Sequence, residues 1–460
     1  MKTSICESIG DYAFTWTSIK EIEFPDSLTA IGEGAFSYTD ITSITIPENV
    51  TTMEAYAFKD CSNLTEINYN ATNINSSDDN GRFFISRTVG NDVVLNIGKN
   101  VEIIPMGMFS KTYDVGGSTA IELAEVNFES GSVCSEIGAS AFYRCIVSEI
   151  TLPDSVKTIG SYAFYFSELK TVTLGKGVVT IGDFAFSGCE TLSEININAT
   201  NLEDFANDNS VFDRVGFNTG GCTVNFDKDV TRVPAYFAWS SETPVTYHIS
   251  IINFEDNSKC VSIGTRAFCD VDGLVVNFGS NSSLKTIGGR AFGDITSFTS
   301  IEIPASVTTI GEYAFTNCED LESVVFPEDS KLQTIGTYAF NNCGSLTSIT
   351  IPANVATICD YAFYECDSLV RIDVPDSVIS LGGHAFADCG SLTTVTIGIG
   401  VTSIGYYAFT DCAYLTSVTF AVTEGWTASS TSLSSSDLAN VSTAAKYLKT
   451  TYDDSKWTRS

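Results

Sequence analysis

Residues 346–368 read LTSITIPANVATICDYAFYECDS, and residues 392–414 read LTTVTIGIGVTSIGYYAFTDCAY. Laid over one another they give L-x-x-[IV]-x-I-x-x-x-V-x-x-I-x-x-x-A-F-x-x-C, a repeat of 23 residues. Ala-Phe pairs recur thirteen times, at Phe14, Phe36, Phe58, Phe142, Phe164, Phe186, Phe268, Phe292, Phe315, Phe340, Phe363, Phe386 and Phe409, spaced 22 to 25 residues apart within each run. The two gaps divide into further repeats if Phe84, Phe109, Phe212 and the Phe237/Ala238 pair are degenerate versions of the same position, which makes about seventeen repeats. A longer period lies on top: Cys6, Phe14, Glu21, Phe36, Phe58 and Phe84 return at an offset of 128 as Cys134, Phe142, Glu149, Phe164, Phe186 and Phe212.

Each part of the repeat has a physical reading. In L-x-x-I-x-I the apolar positions alternate with polar ones, the mark of a short strand with one face inward. Pro25, Pro47, Pro153, Pro304, Pro352 and Pro375 follow that strand, where a missing amide hydrogen ends the pairing cheaply. Glycine stands four before the Phe in eleven of the thirteen Ala-Phe repeats, Glu54 and Cys359 being the exceptions, and is expected to supply a bend with positive φ. One such repeat cannot bury its apolar face alone; stacked neighbours bury a continuous core. The expected fold is therefore a β-rich repeat solenoid with short parallel strands on one face. Residues 1–420 form the solenoid, in blocks of about 1–128, 129–256 and 257–420, and 421–460 a small helical cap over the last coil, with an amphipathic helix around 437–448.

With its IPxxVxxIGxxAFxxC consensus, the repeat resembles the leucine-rich repeat of the BspA-like family, over about residues 1–420. The tail, with LANVSTAAKYLKTTYDDSKW at 438–457, resembles the closing segment of such bacterial arrays. The resemblance implies a right-handed superhelix and a bacterial or protist cell-surface or secreted protein that binds host or microbial partners. It names no ligand. The amino terminus lacks the apolar stretch of a secretory signal, and no anchoring domain is recognisable, so the signal and anchor of that family are not expected within this chain.

Composition narrows the partners. A formal charge of −32, from 24 Lys plus Arg against 56 Asp plus Glu, disfavours nucleic acid and anionic membranes. No run of about 18 apolar residues is present to span a bilayer. The two histidines, His248 and His384, sit in different repeats, and no G-x-S-x-G, H-E-x-x-H or phosphate loop follows a strand. Neither catalysis nor a cofactor nor a metal is expected. Of fourteen cysteines, eight lie three residues after the Phe, and Cys6, Cys134 and Cys260 take an apolar position eight before it. These read as structural thiols packed as small hydrophobes. Cys222, Cys269 and Cys359 fall outside both columns and are the candidates for reactive or paired thiols.

Side-chain alternation places one residue of each strand on the outer sheet face. Read down the chain these are Glu23, Thr45, Asn68, Asn96, Asn127, Thr151, Thr173, Asn196, Asn225, Asn253, Asn277, Glu302, Val325, Thr350, Asp373, Thr396 and Thr419. Thirteen of the seventeen are Asn or Thr, giving a polar, almost uncharged column free of aromatics. It reads either as a solvated face in which Asn side chains form ladders or as a flat surface for a protein ligand such as a host-matrix or microbial surface protein. The positions from Asn68 to Thr396, Val325 excepted, are the candidate contact residues. Two irregular Asn- and Asp-rich zones, Asn70 to Gly90 and Asn198 to Gly220, are expected to protrude as recognition loops. A monomeric interaction or adhesion protein is the leading reading, and a structural spacer or filament subunit the alternative.

Overall fold

A computed structural model of the chain describes residues 6–74, 82–84, 92–110, 121–206, 209–239, 249–271 and 273–460. The chain divides into two compact units, 1–230 with 240–249 and 231–239 with 250–460. Between them they hold a parallel β-solenoid of about 16 turns with very few helices.

In the first unit the strands Ser43–Ile46, Glu66–Tyr69, Val93–Ile97 and Glu122–Phe128 pair in parallel, and Glu149–Thr151, Thr171–Leu174, Glu194–Ile197 and Cys222–Phe226 do the same. The second unit repeats this from Ser300–Glu302 to Ser417–Phe420. Most of these strands bury alternate residues: in Thr394–Ile397, Val395 and Ile397 face the core.

Two further backbone ladders close each coil. The Thr-Ile dipeptides form two-residue parallel strands, such as Thr158–Ile159 beside Thr180–Ile181, and Thr309–Ile310 beside Thr334–Ile335. Beyond them the amide of a column Phe donates to the carbonyl of the residue before the next one, usually Ala, as Phe36 does to Ala57 and Phe340 to Ala362, both at 2.8 Å. Backbone groups are thus satisfied coil to coil, which a packed interior demands.

Phenylalanine fills that interior. In the first unit the rings of Phe14, Phe36, Phe58, Phe84, Phe109, Phe142, Phe164, Phe186 and Phe212 form one column with centroids 5.0–5.6 Å apart. The degenerate positions Phe84, Phe109 and Phe212 therefore belong to the same column. From Phe268 to Phe409 the second unit carries a like stack at 5.1–5.6 Å. There the Phe237/Ala238 pair takes its place with Ala238 in the Phe register, its amide donating to Ala267, while the Phe237 ring packs edge-on against Phe268 at 6.0 Å.

The bend is not built as expected. None of the column glycines four before the Phe has positive φ; they are small because the preceding coil passes against them. A Cβ on Gly160 would lie 2.5 Å from the Ala139 nitrogen, and one on Gly336 2.7 Å from the Gly311 carbonyl. Positive φ falls instead on the residues two before and two after the Phe, such as Tyr338 (55°) and Asn342 (55°) around Phe340. These side chains accept a left-handed backbone that ordinarily costs about 1–2 kcal/mol, because the Phe ladder between them holds both turns.

At the carboxy terminus the expected cap is present. Helices Ser435–Ala439 and Val441–Lys446 pack on the Ser417–Phe420 strand, the second capped by Asn440, whose side chain accepts from the Thr443 amide. Strand Trp457–Arg459 pairs antiparallel with Ser403–Ile404 and with Trp426–Ala428. Trp426 and Trp457 are buried, and the Trp457 ring stacks on Phe420 at 6.0 Å.

Candidate interaction surfaces

The strand face is where the outward column lies, and the register is direct. In the first unit Thr45, Asn68, Asn96 and Asn127 are successive cross-strand partners, as are Thr151, Thr173, Asn196 and Asn225. In the second unit Asn253 pairs with Asn277, Glu302 with Val325, and Asp373 with Thr396 and then Thr419; Thr350 lies just past its strand. None of these residues is buried.

The amides form ladders. The Asn96 side chain donates to Asn68 at 3.0 Å and receives a bond from Asn127 at 3.3 Å. Asn225 donates to Asn196 at 2.9 Å, and Asn277 to Asn253 at 2.8 Å. In-register pairing brings identical side chains to strand spacing, so each amide finds its neighbour's oxygen.

The face is more acidic than its central column suggests. Two residues earlier in each strand a second outward column runs through Ser43, Glu66, Val94 and Glu125, then Glu149, Thr171, Glu194 and Thr223. Four carboxylates therefore flank the amides, with Asn96 also reaching Glu66 at 3.3 Å and Asn225 reaching Glu194 at 3.0 Å. In the second unit that flanking column is Ser300, Ser323, Ser348, Arg371, Thr394 and Ser417, and Arg371 is neutralised by a bidentate pair with Asp373 at 2.8 Å. The central column is uncharged from Thr45 to Asn225, the first unit's carboxylates lying in the flanking column, whereas the second unit's central column itself carries Glu302 and Asp373.

Of Asn198 to Gly220, 207 and 208 lie outside the described residues and 217–220 are exposed, but most of the described stretch is packed and does not protrude as expected. Ala199, Leu202, Phe205, Val211, Phe212 and Val215 are buried, and the Val211 carbonyl accepts from Phe186 at 3.0 Å, so this stretch supplies an ordinary coil from unusual sequence. Of the zone from Asn70 to Gly90, Ala71, Ile74, Phe83 and Phe84 are buried, and 75–81 and 85–90 lie outside the described residues.

All fourteen cysteines are free thiols. Those after the Phe are buried, and seven of them donate to the Phe carbonyl one coil back, including Cys61 to Phe36 and Cys343 to Phe315. Burial pushes the thiol of Cys61 up to about 11 and those of Cys189, Cys318 and Cys366 up to about 12. Cys222 and Cys269, read from sequence as candidates for reactivity, are buried too, and desolvation pushes both to about 12. A thiol held protonated is a poor nucleophile. Cys359 is half-buried and raised by the same cause. Cys6, placed in a core column, is exposed, in the first coil of the described residues.

His384 has positive φ and stacks between Tyr361 at 4.5 Å and Tyr407 at 5.0 Å; His248 lies outside the described residues. Among the described residues no group of three or more His, Cys, Asp or Glu is placed to hold a metal ion, and no helix is long and apolar enough to cross a membrane.

Parallel strands repeated once per 22 to 31 residues, a Phe core and a strand-bearing outer face define a leucine-rich-repeat solenoid. The sequence profile of the BspA type leucine rich repeat region matches residues 3–116, 118–234, 245–344 and 333–451. The chain belongs to this family. Among solved structures it is similar to a leucine-rich repeat protein from Bacteroides ovatus (22% identity, 85% of this chain and 82% of that one, TM-score 0.44). It is also similar to a leucine rich cell surface protein from Faecalibacterium prausnitzii (21%, 70% and 88%, TM-score 0.30) and to the pneumococcal vaccine antigen PcpA (18%, 82% and 78%, TM-score 0.34). No curated protein sequence matches the chain.

Proposed function

We propose that this is a non-catalytic interaction and adhesion protein of the cell surface that holds protein partners on its outer strand faces. The observation that carries this reading is the in-register polar column on consecutive strands, exposed or half-buried throughout and flanked in the first unit by Glu66, Glu125, Glu149 and Glu194. Such a face offers many weak, regularly spaced hydrogen-bonding groups, so affinity accrues with the number of coils engaged. Membership in the BspA-type family and the likeness to a described cell surface protein support the location.

The protruding loops drop out of this reading where they are described, since the stretch after Asn198 is core. A structural spacer or filament subunit is the alternative, favoured by the simple repetition of the strands. The antiparallel Trp457–Arg459 strand and the two helices cover the last coil and weigh against head-to-tail pairing.

The test is a binding screen of the intact chain against extracellular-matrix and microbial-surface proteins, with light scattering alongside. A saturable partner bound by a monodisperse monomer is the expected result. Concentration-dependent growth into filaments with no partner bound would favour the spacer instead.

A further inference from the structure

A second ordered surface lies away from the strand face, on the second unit. Tyr313, Tyr338, Tyr361, His384 and Tyr407 each sit two residues before a column Phe, with φ between 54° and 58°. The left-handed turn aims these side chains outward while the following Ala and Phe enter the core, so five successive coils present five rings. Their centroids are 4.7, 4.5, 4.5 and 5.0 Å apart, and none of the rings is buried.

The chain itself shows which chemical group continues this stack. The Arg290 guanidinium, from the coil before, lies 5.2 Å from the Tyr313 ring centroid. Around the rings the same turns carry Glu312, Asp360, Glu365, Asp388 and Asp411, whereas Lys331 and Arg371 are the only lysine or arginine residues between 291 and 411. Arg371 is engaged with Asp373 on the strand face, and Lys331 lies beside Pro327 and Asp329. The Tyr364 ring meets Tyr361 edge-on at 5.6 Å. The surface is thus a row of phenolic edges bordered by carboxylates. The ring faces are taken up by one another, so a ligand along the row meets phenolic oxygens and carboxylates; planar guanidinium groups suit these better than ammonium groups, because their forked N–H donors reach oxygens of neighbouring coils at once.

Spacing selects the backbone of the ligand. Two ladder steps, 4.7 and 4.5 Å, span about 9.2 Å. Three residues of a polyproline II segment rise about 9.3 Å, whereas two residues of an extended strand rise about 6.8 Å and drift out of step.

We propose that the ring ladder from Tyr313 to Tyr407 docks a polyproline II segment of a protein partner carrying arginine at every third residue, one arginine for every second coil. The test is fluorescence anisotropy with the full chain and a labelled (Arg-Pro-Pro)5 peptide. Comparators are (Lys-Pro-Pro)5 and a peptide of the same composition with irregular arginine spacing. The expected result is binding at least fivefold tighter for the regular arginine peptide than for either comparator. It should weaken at least tenfold in the Tyr338→Asn/Tyr361→Asn variant, Asn being tolerated at positive φ. Equal affinity for the three peptides, no binding, or unchanged binding by the variant would overturn the proposal. Should that variant lose its circular dichroism signal, Glu365→Gln/Asp388→Asn takes its place, with a fivefold loss expected and no loss overturning it.

Discussion

The Cys389 thiol donates to the Phe363 carbonyl at 3.2 Å, one coil back, and Cys412 repeats the geometry on Phe386 at 3.0 Å. The Phe amide is used in the ladder to the next coil, so this thiol completes a link to the preceding one. Thr39 fills the same position in its own coil and donates to the Phe36 carbonyl at 2.9 Å. The column takes a small donor in most coils, cysteine being the least polar of them, while Val271 and Ile295 fill it with hydrocarbon alone in two.

Accessibility predicts the order of reaction with a thiol reagent. Cys6 is exposed, Cys359 half-buried and the other twelve are buried. Titration of the folded protein at pH 8 with a chromogenic disulfide should show one fast thiol and one slow one, with the remainder appearing only on unfolding. Rapid labelling of four or more thiols in native protein would contradict the packing.

Stability should fall in alkali. In the folded state burial raises Cys189 and Cys366 from 9.0 to about 12, so the folded protein keeps protons that the unfolded chain releases. Their contribution is full below about pH 9 and is lost as pH climbs towards 12, at about 1.4 kcal/mol per pH unit per thiol. The urea midpoint should stay level from pH 6 to 8 and drop clearly by pH 10. A midpoint rising over that upper interval would contradict the sign.

Two glycines separate close approach from backbone freedom. A Cβ at Gly382 would stand 2.3 Å from the Asp360 nitrogen and the Cys359 carbonyl carbon, while one at Gly344 meets nothing within 4 Å. Gly382→Ala should cost about 1–3 kcal/mol of unfolding free energy. Gly344→Ala should be neutral or stabilise by up to about 1 kcal/mol. Denaturant titration of both variants gives the comparison, and equal effects would contradict the assignment.

Phe340 lies between Phe315 at 5.2 Å and Phe363 at 5.3 Å and is fully buried. Phe340→Ala should lower stability by about 3–5 kcal/mol, read from thermal or denaturant unfolding. A loss under about 1 kcal/mol would mean that the ring column does not carry the core.

What could be read from sequence was what repeats. The Phe period, the strand alternation, the Asn ladder and the closing helices were legible because each recurs in register or follows an amphipathic pattern. The Thr-Ile ladder was not, since a two-residue strand is too short to show alternation. Nor were the left-handed positions, which are occupied by Tyr, Asp, Arg and His where glycine would be the usual signal. The recurrence of Tyr two before the Phe, with His384 in its place once, was legible in the sequence, but reads there as a spacer; that the rings stack was not. The flanking glutamates were within reach: extending the alternation two residues back from Asn68 and Asn196 arrives at Glu66 and Glu194. The packed coil after Asn198 was out of reach, because its sequence departs from the repeat while its Phe212 keeps the register.

Partner binding after arginine substitution on the strand face tests the account most directly. Thr173 and Thr396 point outward from central strands of the two units, so each substitution places a bulky cation on a flat polar face without touching the core. With a partner found in the screen, Thr173→Arg/Thr396→Arg is predicted to weaken binding at least tenfold. Val261→Arg, at an exposed position beside the Ser262–Ile263 strand, should change it less than twofold. Equal affinity of the strand-face variant and the unmodified chain would contradict the account.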